Sequence, residues 1–141
     1  MTKEKEIYYD YLFTNNIKHS RQRERILDTF LMTEDHLTAQ DIFEIARKED
    51  SNLGIATVYR AMKLFCDAGL ADIIDVGDGN KRYEHKVNHK HHDHLICVKC
   101  GKIIEFHNSQ IEKIQLEVCD ELDFKATSHK LQIYGICKEC N

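Results

Sequence analysis

Residues 54–85 read GIATVYRAMKLFCDAGLADIIDVGDGNKRYEH, and their hydrophobic period changes halfway along. In the first half, Val58, Met62 and Phe65 recur at the spacing of one helix face. This spacing predicts a helix over about 56–68, with its apolar side turned to a core.

The second half of this segment has the alternation of strands. It follows Gly69, a residue that suits the position just after a helix end because it tolerates a positive φ. Residues 70–76 are predicted as a strand, 77–80 as a turn and 81–85 as a returning strand. The segment as a whole therefore predicts a helix followed by a hairpin.

Three further helices are predicted upstream. One is predicted over 4–15, one follows the capping residue Ser20, and one starts at Thr38, which has Asp41 three residues on. Helices followed by a hairpin are typical of a winged helix-turn-helix domain, in which the helix before the hairpin enters the major groove of DNA. The helix in that position carries Thr57, Tyr59 and Arg60.

The rest of the chain predicts a second domain of mixed α and β structure. Its predicted elements are strands over 94–99, 102–107 and 125–134 and a helix over about 109–122. We therefore predict an α+β protein with a winged-helix domain over 1–85 and a small α/β domain over 86–141. Each domain is small enough to need a metal or a partner chain for stability.

Two Cys-x-x-Cys pairs lie near the two ends of the second domain, Cys97 with Cys100 and Cys137 with Cys140. Zinc prefers four ligands in a tetrahedron, and each pair supplies two thiolates from one tight turn. Four protein ligands leave no open position for catalysis, so we predict a structural Zn²⁺ site. A thiol redox pair is the alternative, but two separated pairs suit it poorly.

A histidine-rich segment joins the two predicted domains. Its histidines are His85, His89, His91, His92 and His94. Together with the carboxylates of Glu84 and Asp93, imidazoles suit Fe(II), Zn, Mn or Ni. On an extended segment, His92 and His94 project to one side, and His91 and Asp93 to the other. The alternation is compatible with two distinct metal sites, and a polar surface linker remains the alternative.

Composition excludes some classes and leaves others open. The 141 residues carry a net charge of -4, which does not indicate a nucleic-acid partner by itself, since phosphate contacts need only local cations. Two basic groups exist, one of Lys18, Arg21, Arg23 and Arg25 and a smaller one of Arg60 and Lys63. Charge alone favours solvated helix faces for both. No stretch approaches the ~18 apolar residues of a membrane span, and because the first residues are polar we expect no signal peptide. We expect a cytoplasmic protein without a membrane partner.

Three segments resemble the Fur (ferric uptake regulator) family. They are IATVYR at 55–60, HHDHLICVKCGKIIEF at 91–106 and LQIYGICKEC at 131–140. The resemblance covers nearly the whole chain in the right order. It implies a metal-dependent transcription repressor, a homodimer that binds double-stranded operator DNA through its winged-helix domain and takes no small-molecule substrate. The second domain would be the dimerisation domain.

The resemblance also implies roles for individual residues. Cys97, Cys100, Cys137 and Cys140 match the family's structural zinc site. The family's sensory metal site is matched by His36, Glu84, His92, His94 and Glu105. A further metal site is matched by His91, Asp93, Glu112 and His129. Tyr59 and Arg60 match recognition-helix residues, and Lys18 matches a basic residue that reaches the minor groove.

One departure from the family pattern concerns Glu84. The stretch 84–92 is one residue longer than in many relatives, so His85 or His89 could replace Glu84 as a ligand.

The sensory ligands implied by the resemblance contain no cysteine, which favours Fe(II) as the regulatory metal, with Mn(II) or Zn(II) as possible substitutes. The family's zinc-sensing branch often has a cysteine in this site, and its peroxide-sensing branch typically has an aspartate where Glu105 stands. Both branches remain alternatives to iron sensing.

Functions from other classes have less support in the sequence. A zinc deaminase needs His-x-Glu before its Cys-x-x-Cys, and a metalloprotease needs His-Glu-x-x-His; neither motif occurs. We therefore do not expect an enzyme. A metal store would explain the histidines but would leave the winged-helix half without a role.

Overall fold

Four helices and a small sheet form the first of two compact units in the computed structural model, which describes residues 1–33 and 36–141. The units are Met1–His89 and Lys90–Asn141. This division lies four residues after the boundary predicted between 85 and 86. In the described part of the chain, no helix is long and apolar enough to cross a bilayer.

The first unit has the order of elements predicted for a winged helix, with one short strand added. In chain order these are α1 (Lys3–Thr14), α2 (Arg21–Met32), β1 (Leu37–Thr38), α3 (Ala39–Ala46), α4 (Ile55–Asp67), β2 (Ala71–Ile74) and β3 (Arg82–His85). The observed bounds of α1 and α4 lie within one residue of those predicted from the hydrophobic period.

Local hydrogen bonds explain where these helices begin and end. The Ser20 hydroxyl accepts from the Arg23 N–H at 3.2 Å, which caps α2. Thr38 and Asp41 form the predicted capping box of α3, with bonds of 3.1 and 3.0 Å. After α4, Gly69 takes a φ of +82°, the conformation for which glycine was expected there.

The apolar faces of all four helices meet in one core. Its largest fully buried side chains include Tyr8 of α1, Phe30 of α2, Ile42 of α3 and Phe65 of α4. The helix carrying the expected recognition residues is therefore fixed from one side, which leaves its opposite face exposed.

The sheet of this unit has the order β1-β3-β2, with both pairings antiparallel. Strand β1 pairs Leu37 with Tyr83 and Thr38 with Arg82. It was not predicted, because two residues are too few to show an alternating pattern. Its pairing brings the segment before α3 alongside the hairpin.

The second unit contains β4 (Asp93–Cys97), β5 (Ile103–Phe106), α5 (Ser109–Glu121) and β6 (Gln132–Gly135). Its sheet has the order β5-β4-β6, and β6 runs parallel to β4. The last strand was predicted over 125–134 but starts at Gln132, because its ladder with β4 extends only over the four residue pairs from His94↔Gln132 to Cys97↔Gly135.

The helix of the second unit differs from expectation in its burial. Ile114, Leu116 and Val118 were candidates for a core, but they are 57%, 59% and 48% exposed. None of the residues of α5, all of which the structure describes, is buried. The apolar side chains of α5 are therefore not covered by the rest of this chain, among them Ile114 and Val118, which share one side of the helix.

Candidate metal centres and DNA-binding face

The structure brings the four predicted cysteines together at one end of the second unit. Cys97 closes β4, and the Gly101 N–H donates to the Cys97 carbonyl at 2.9 Å, with Gly101 at φ +77°. Cys137 follows β6, and the Cys140 N–H donates to the Cys137 carbonyl at 3.1 Å. Each Cys-x-x-Cys pair is thus a tight turn at the end of one of two adjacent strands.

The four sulfur atoms of this four-cysteine cluster lie within 4.8 Å of one another. The Sγ atoms of Cys100 and Cys137 are 3.7 Å apart. A tetrahedral zinc with Zn–S bonds of about 2.3 Å needs sulfurs about 3.8 Å apart. The spacing of the cluster therefore fits a zinc ion.

The contacts among these cysteines shift the pKa values of their thiols in opposite directions. Backbone N–H groups of Cys137 and Cys100 hold the pKa of Cys97 down to about 6, and the Cys137 N–H lies 3.3 Å from its sulfur. Hydrogen bonds to the thiols of Cys137 and Cys100 raise the pKa of Cys140 to about 12. Four thiolates so close together repel one another unless a metal ion compensates their charge.

A second cluster, the His/carboxylate cluster, consists of His91, Asp93, Glu112 and His129. It joins β4, α5 and the segment before β6. Nε2 of His91 lies 3.0 Å from Glu112 Oε1 and 3.4 Å from Asp93 Oδ1. Nε2 of His129 lies 3.3 and 3.7 Å from the same two oxygens. Ligands of a tetrahedral metal at about 2.0–2.1 Å stand about 3.3 Å apart, so these distances fit one ion.

Buried atoms that make no hydrogen bond point to the same conclusion. Asp93 is 1% exposed. Among the described residues, neither of its carboxylate oxygens has a hydrogen-bond partner, nor does Nε2 of His129. Burying a carboxylate or an imidazole without hydrogen bonds costs free energy unless an opposite charge, such as a metal ion, compensates it. Burial opposes ionisation of Glu112, but His129 and His91 outweigh it and lower the pKa of this carboxyl.

The first unit contains two of the residues matched to the sensory site, and their side chains lie next to each other in the structure. His36 precedes β1 with a φ of +74°, a left-handed conformation that side chains rarely adopt, and its N–H donates to the Tyr83 carbonyl at 2.9 Å. Its Nε2 lies 3.5 Å from Oε2 of Glu84 on β3. We call His36 and Glu84 the β1–β3 pair.

The alternatives to Glu84 lie elsewhere in this unit. The ring of His85 packs edge-on against Phe30, and its Nε2 lies 2.6 Å from the Phe30 carbonyl at the end of α2. The ring of His89 lies against His85, with centroids 5.9 Å apart. Among Glu84, His85 and His89 as candidate ligands, the structure therefore shows Glu84 paired with His36.

The second unit contains the other three matched residues, the β4–β5 group of His92, His94 and Glu105. His94 and Glu105 are cross-strand partners on β4 and β5. His92 Nε2 lies 3.5 Å from Glu105 Oε1, and its ring is 4.9 Å from that of His94. Its Nδ1 donates to the Lys90 carbonyl at 2.9 Å, which directs Nε2 toward the carboxylate. The predicted alternation of side chains between two faces is thus present.

The predicted DNA-binding residues of α4 lie on its exposed side. Tyr59 is 51% exposed, and Arg60 is exposed with one guanidinium nitrogen 3.2 Å from the Thr57 hydroxyl. Thr57 is half-buried and accepts this hydrogen bond, and its part in DNA binding stays a prediction. Lys18 is exposed in the loop between α1 and α2.

One charged cluster near Lys18 has no signature in the sequence. Glu24 contacts Lys5, Tyr9 and His19, which are spread over α1 and the following loop. Hydrogen bonds from Tyr9 and His19 lower the pKa of Glu24 to about 2. The spacing of these residues is neither helical nor alternating, so no local pattern could have identified the cluster.

Comparison with known proteins supports the family resemblance. The family model described as "Ferric uptake regulator family" matches residues 14–134. A ferric uptake regulation protein of Campylobacter jejuni is 44% identical over 127 residues, which cover 89% of this chain and 80% of that protein. A peroxide-responsive repressor of Staphylococcus saprophyticus is 33% identical over 129 residues, covering 92% and 86%.

A solved structure extends the similarity to the whole fold. The ferric uptake regulator of Helicobacter pylori, described as having three functional metal-binding sites, superposes with a TM-score of 0.83 at 32% identity. The match covers 99% of this chain and 94% of that one. The winged helix and the small α/β unit predicted from the sequence are thereby confirmed, and the chain belongs to the ferric uptake regulator family.

Proposed function

We propose that this protein is an Fe(II)-sensing repressor that binds operator DNA as a homodimer and controls iron-uptake genes. The family membership supports a metal-responsive repressor. The iron specificity, the DNA target and the dimer are the further steps of the proposal.

The observation that carries the proposal is the β1–β3 pair. Its two ligands belong to the DNA-binding unit itself, since His36 precedes the strand that leads into α3 and Glu84 lies on the hairpin after α4. A metal ion bound there stabilises the arrangement of the residues around the recognition helix. A ligand shifts a conformational equilibrium only by its differential affinity for the two states, and this location supplies a reason for such a difference.

The β1–β3 pair alone supplies two donors, fewer than the four to six that first-row metals take. We propose that His92, His94 and Glu105 complete the same regulatory site. The donors are then imidazole and carboxylate, which suit Fe(II) and Mn(II). Metal binding would hold the two units in the arrangement that recognises DNA, and loss of metal would release the operator.

The other two clusters are assigned separate roles. We propose that the four-cysteine cluster holds a structural Zn²⁺, because its spacing and closed ligand set fit zinc. The His/carboxylate cluster would hold a further metal ion within the second unit, where it would join β4 to α5.

A homodimer is supported by the apolar side of α5. Ile114 and Val118, four residues apart, are exposed on this side, and Phe124 beyond the helix is 66% exposed. A second copy of the chain would cover this surface. The two-fold symmetry of such a dimer would then direct one recognition helix to each of the two half-sites of a palindromic operator.

The peroxide-sensing alternative has one specific observation in its favour, the 33% identical repressor of that type. The residue cross-strand from His94 is Glu105, whereas the peroxide-sensing branch typically has aspartate at this position. This difference favours iron sensing.

The test is a metal analysis of the purified protein combined with a DNA titration. We expect one tightly held zinc per chain and operator binding that requires added Fe(II) or Mn(II). Zinc-only activation would indicate the zinc-sensing alternative. Loss of binding on peroxide treatment, with a mass gain of one oxygen on a ligand histidine, would indicate the peroxide sensor. DNA binding that ignores all three metals would refute the proposal.

A further inference from the structure

The loop between α1 and α2 is fixed at both of its ends. Asn16 takes a left-handed φ of +54°, and the Ile17 N–H then donates to the Leu12 carbonyl at 2.9 Å. Ser20 caps α2. Two exposed residues, at positions 18 and 19, lie between these anchors.

Each of the two exposed residues is also tied to the first turn of α2. The Arg23 guanidinium donates to the backbone carbonyl of Lys18 at 3.0 Å. The His19 ring nitrogen Nε2 lies 2.5 Å from Oε2 of Glu24, to which it donates. These bonds hold the Lys18 backbone but do not engage its ammonium group, which remains exposed to solvent.

The carboxylate that binds His19 is itself held from the other side. Glu24 Oε1 accepts from Lys5 at 3.2 Å and from the Tyr9 hydroxyl, both on α1. Lys5 also pairs with Asp28 at 2.6 Å. Glu24 therefore connects α1, the loop and α2 through one carboxylate that is largely removed from solvent, with 24% of its side chain exposed.

We propose that Glu24 is a positioning residue for DNA binding, which together with Arg23 holds the loop so that the Lys18 side chain is presented to the DNA. This rests on the proposed function, in which Lys18 contacts the operator. A lysine on an already ordered backbone loses less conformational freedom on binding than one on a mobile loop. The positioning role of Glu24 should therefore be measurable as tighter binding to operator DNA.

Because Glu24 is charged, the direction in which operator affinity changes on its replacement tests the proposal. Replacing Glu24 by glutamine removes a negative charge close to the DNA-facing loop, and electrostatics alone would strengthen the attraction to phosphate. Positioning predicts the opposite, a loss of about tenfold in operator affinity, equivalent to about 1.4 kcal/mol. It also predicts that the slope of log affinity against log salt falls by about one, as for Lys18→Ala.

The experiment uses the full-length, Mn(II)-loaded dimer and a duplex selected by the wild-type protein from a random-sequence library. Operator affinity is measured for wild type, Glu24→Gln, Lys18→Ala and the double variant. We expect Glu24→Gln to weaken binding only when Lys18 is present. Asp28→Asn is the matched control, because it removes one negative charge from α2 at the contact with Lys5 without touching the loop. Its operator affinity should stay within about twofold of wild type.

His19→Ala provides a second variant should Glu24→Gln fail to fold, because His19 is half exposed and its loss leaves the α1–α2 contacts in place. It should reproduce the loss of affinity. Binding by Glu24→Gln at or above the wild-type level, or an equal loss in the presence and absence of Lys18, would overturn the positioning role. Normal binding by Lys18→Ala would overturn it as well, while metal-dependent binding by the wild type would leave the proposed function standing.

Discussion

Replacing Cys137 by serine tests how much of the second unit depends on zinc. Among residues 90–141, all of which the structure describes, the buried apolar side chains are Ile96 and Cys97. The first unit, by contrast, has a continuous core. A unit as small as the second is stable by only about 3–8 kcal/mol even when well packed, so the metal must contribute a large share.

The size of that share follows from the chain between the two cysteine pairs. Cys100 and Cys137 are separated by 37 positions. A cross-link that closes a loop of this length removes enough chain entropy from the unfolded state to stabilise the fold by about 4 kcal/mol. The coordinate bonds add to this, and structural zinc in small domains is worth ~10 kcal/mol or more. Cys137→Ser should therefore unfold the second unit and leave the first folded.

The assay combines zinc content, amide NMR spectra and light scattering. We expect Cys137→Ser to lose the proposed structural zinc, the second-unit resonances and the proposed dimer, while the first-unit resonances persist. Cys119→Ser is the matched control, since this half-buried cysteine on α5 lies outside the four-cysteine cluster; it should keep all three. A zinc-free variant that retains a folded second unit and dimerises normally would refute the reasoning.

Three further predictions concern the switch, the DNA face and acid stability. His94→Ala should abolish the gain in operator affinity on adding Mn(II) while keeping the structural zinc, and Asp93→Asn, in the other cluster, should have a milder effect in the same titration. Arg60→Ala should weaken specific binding by about 1–3 kcal/mol without changing metal content, measured against a non-specific duplex; unchanged specificity would place sequence recognition elsewhere. The pKa of Glu24 is lowered from 4.5 to about 2, so its stabilisation of the first unit, about 2 kcal/mol after allowance for solvent screening, is fully present above pH ~4.5 and lost as the pH falls toward about 2. Urea unfolding of Glu24→Gln should lack this component of the pH dependence, and an identical pH profile for the variant would contradict it.

The elements with a strong internal period were predictable from the sequence. The α4 helix was expected over about 56–68 and spans Ile55–Asp67. The capping box of α3 was visible as Thr38 and Asp41, three residues apart. Both depend on backbone geometry within a single turn, which a short stretch of sequence determines.

Features that depend on a distant partner were not predictable in the same way. The last strand is shorter than its residues suggested, because its extent depends on β4. The apolar residues of α5 were expected to be buried, but hydrophobicity alone does not reveal whether the covering surface belongs to the same chain. Strand β1 is defined only by its pairing with β3.

The candidate metal sites also combine features set by local sequence with features set by the tertiary fold. The sequence by itself determined the two cysteine pairs and the alternation of His91 and Asp93 with His92 and His94, because a two-residue gap and a strand period are local geometry. Local geometry did not reveal the distant side chains that join them; the family resemblance implied them, and only the tertiary structure decided how they meet. It brought Glu112 and His129 to Asp93, and it placed Glu84 rather than His85 beside His36. Such meetings depend on how strands and helices separated by tens of residues pack, and that information is spread over the whole core rather than written at the site.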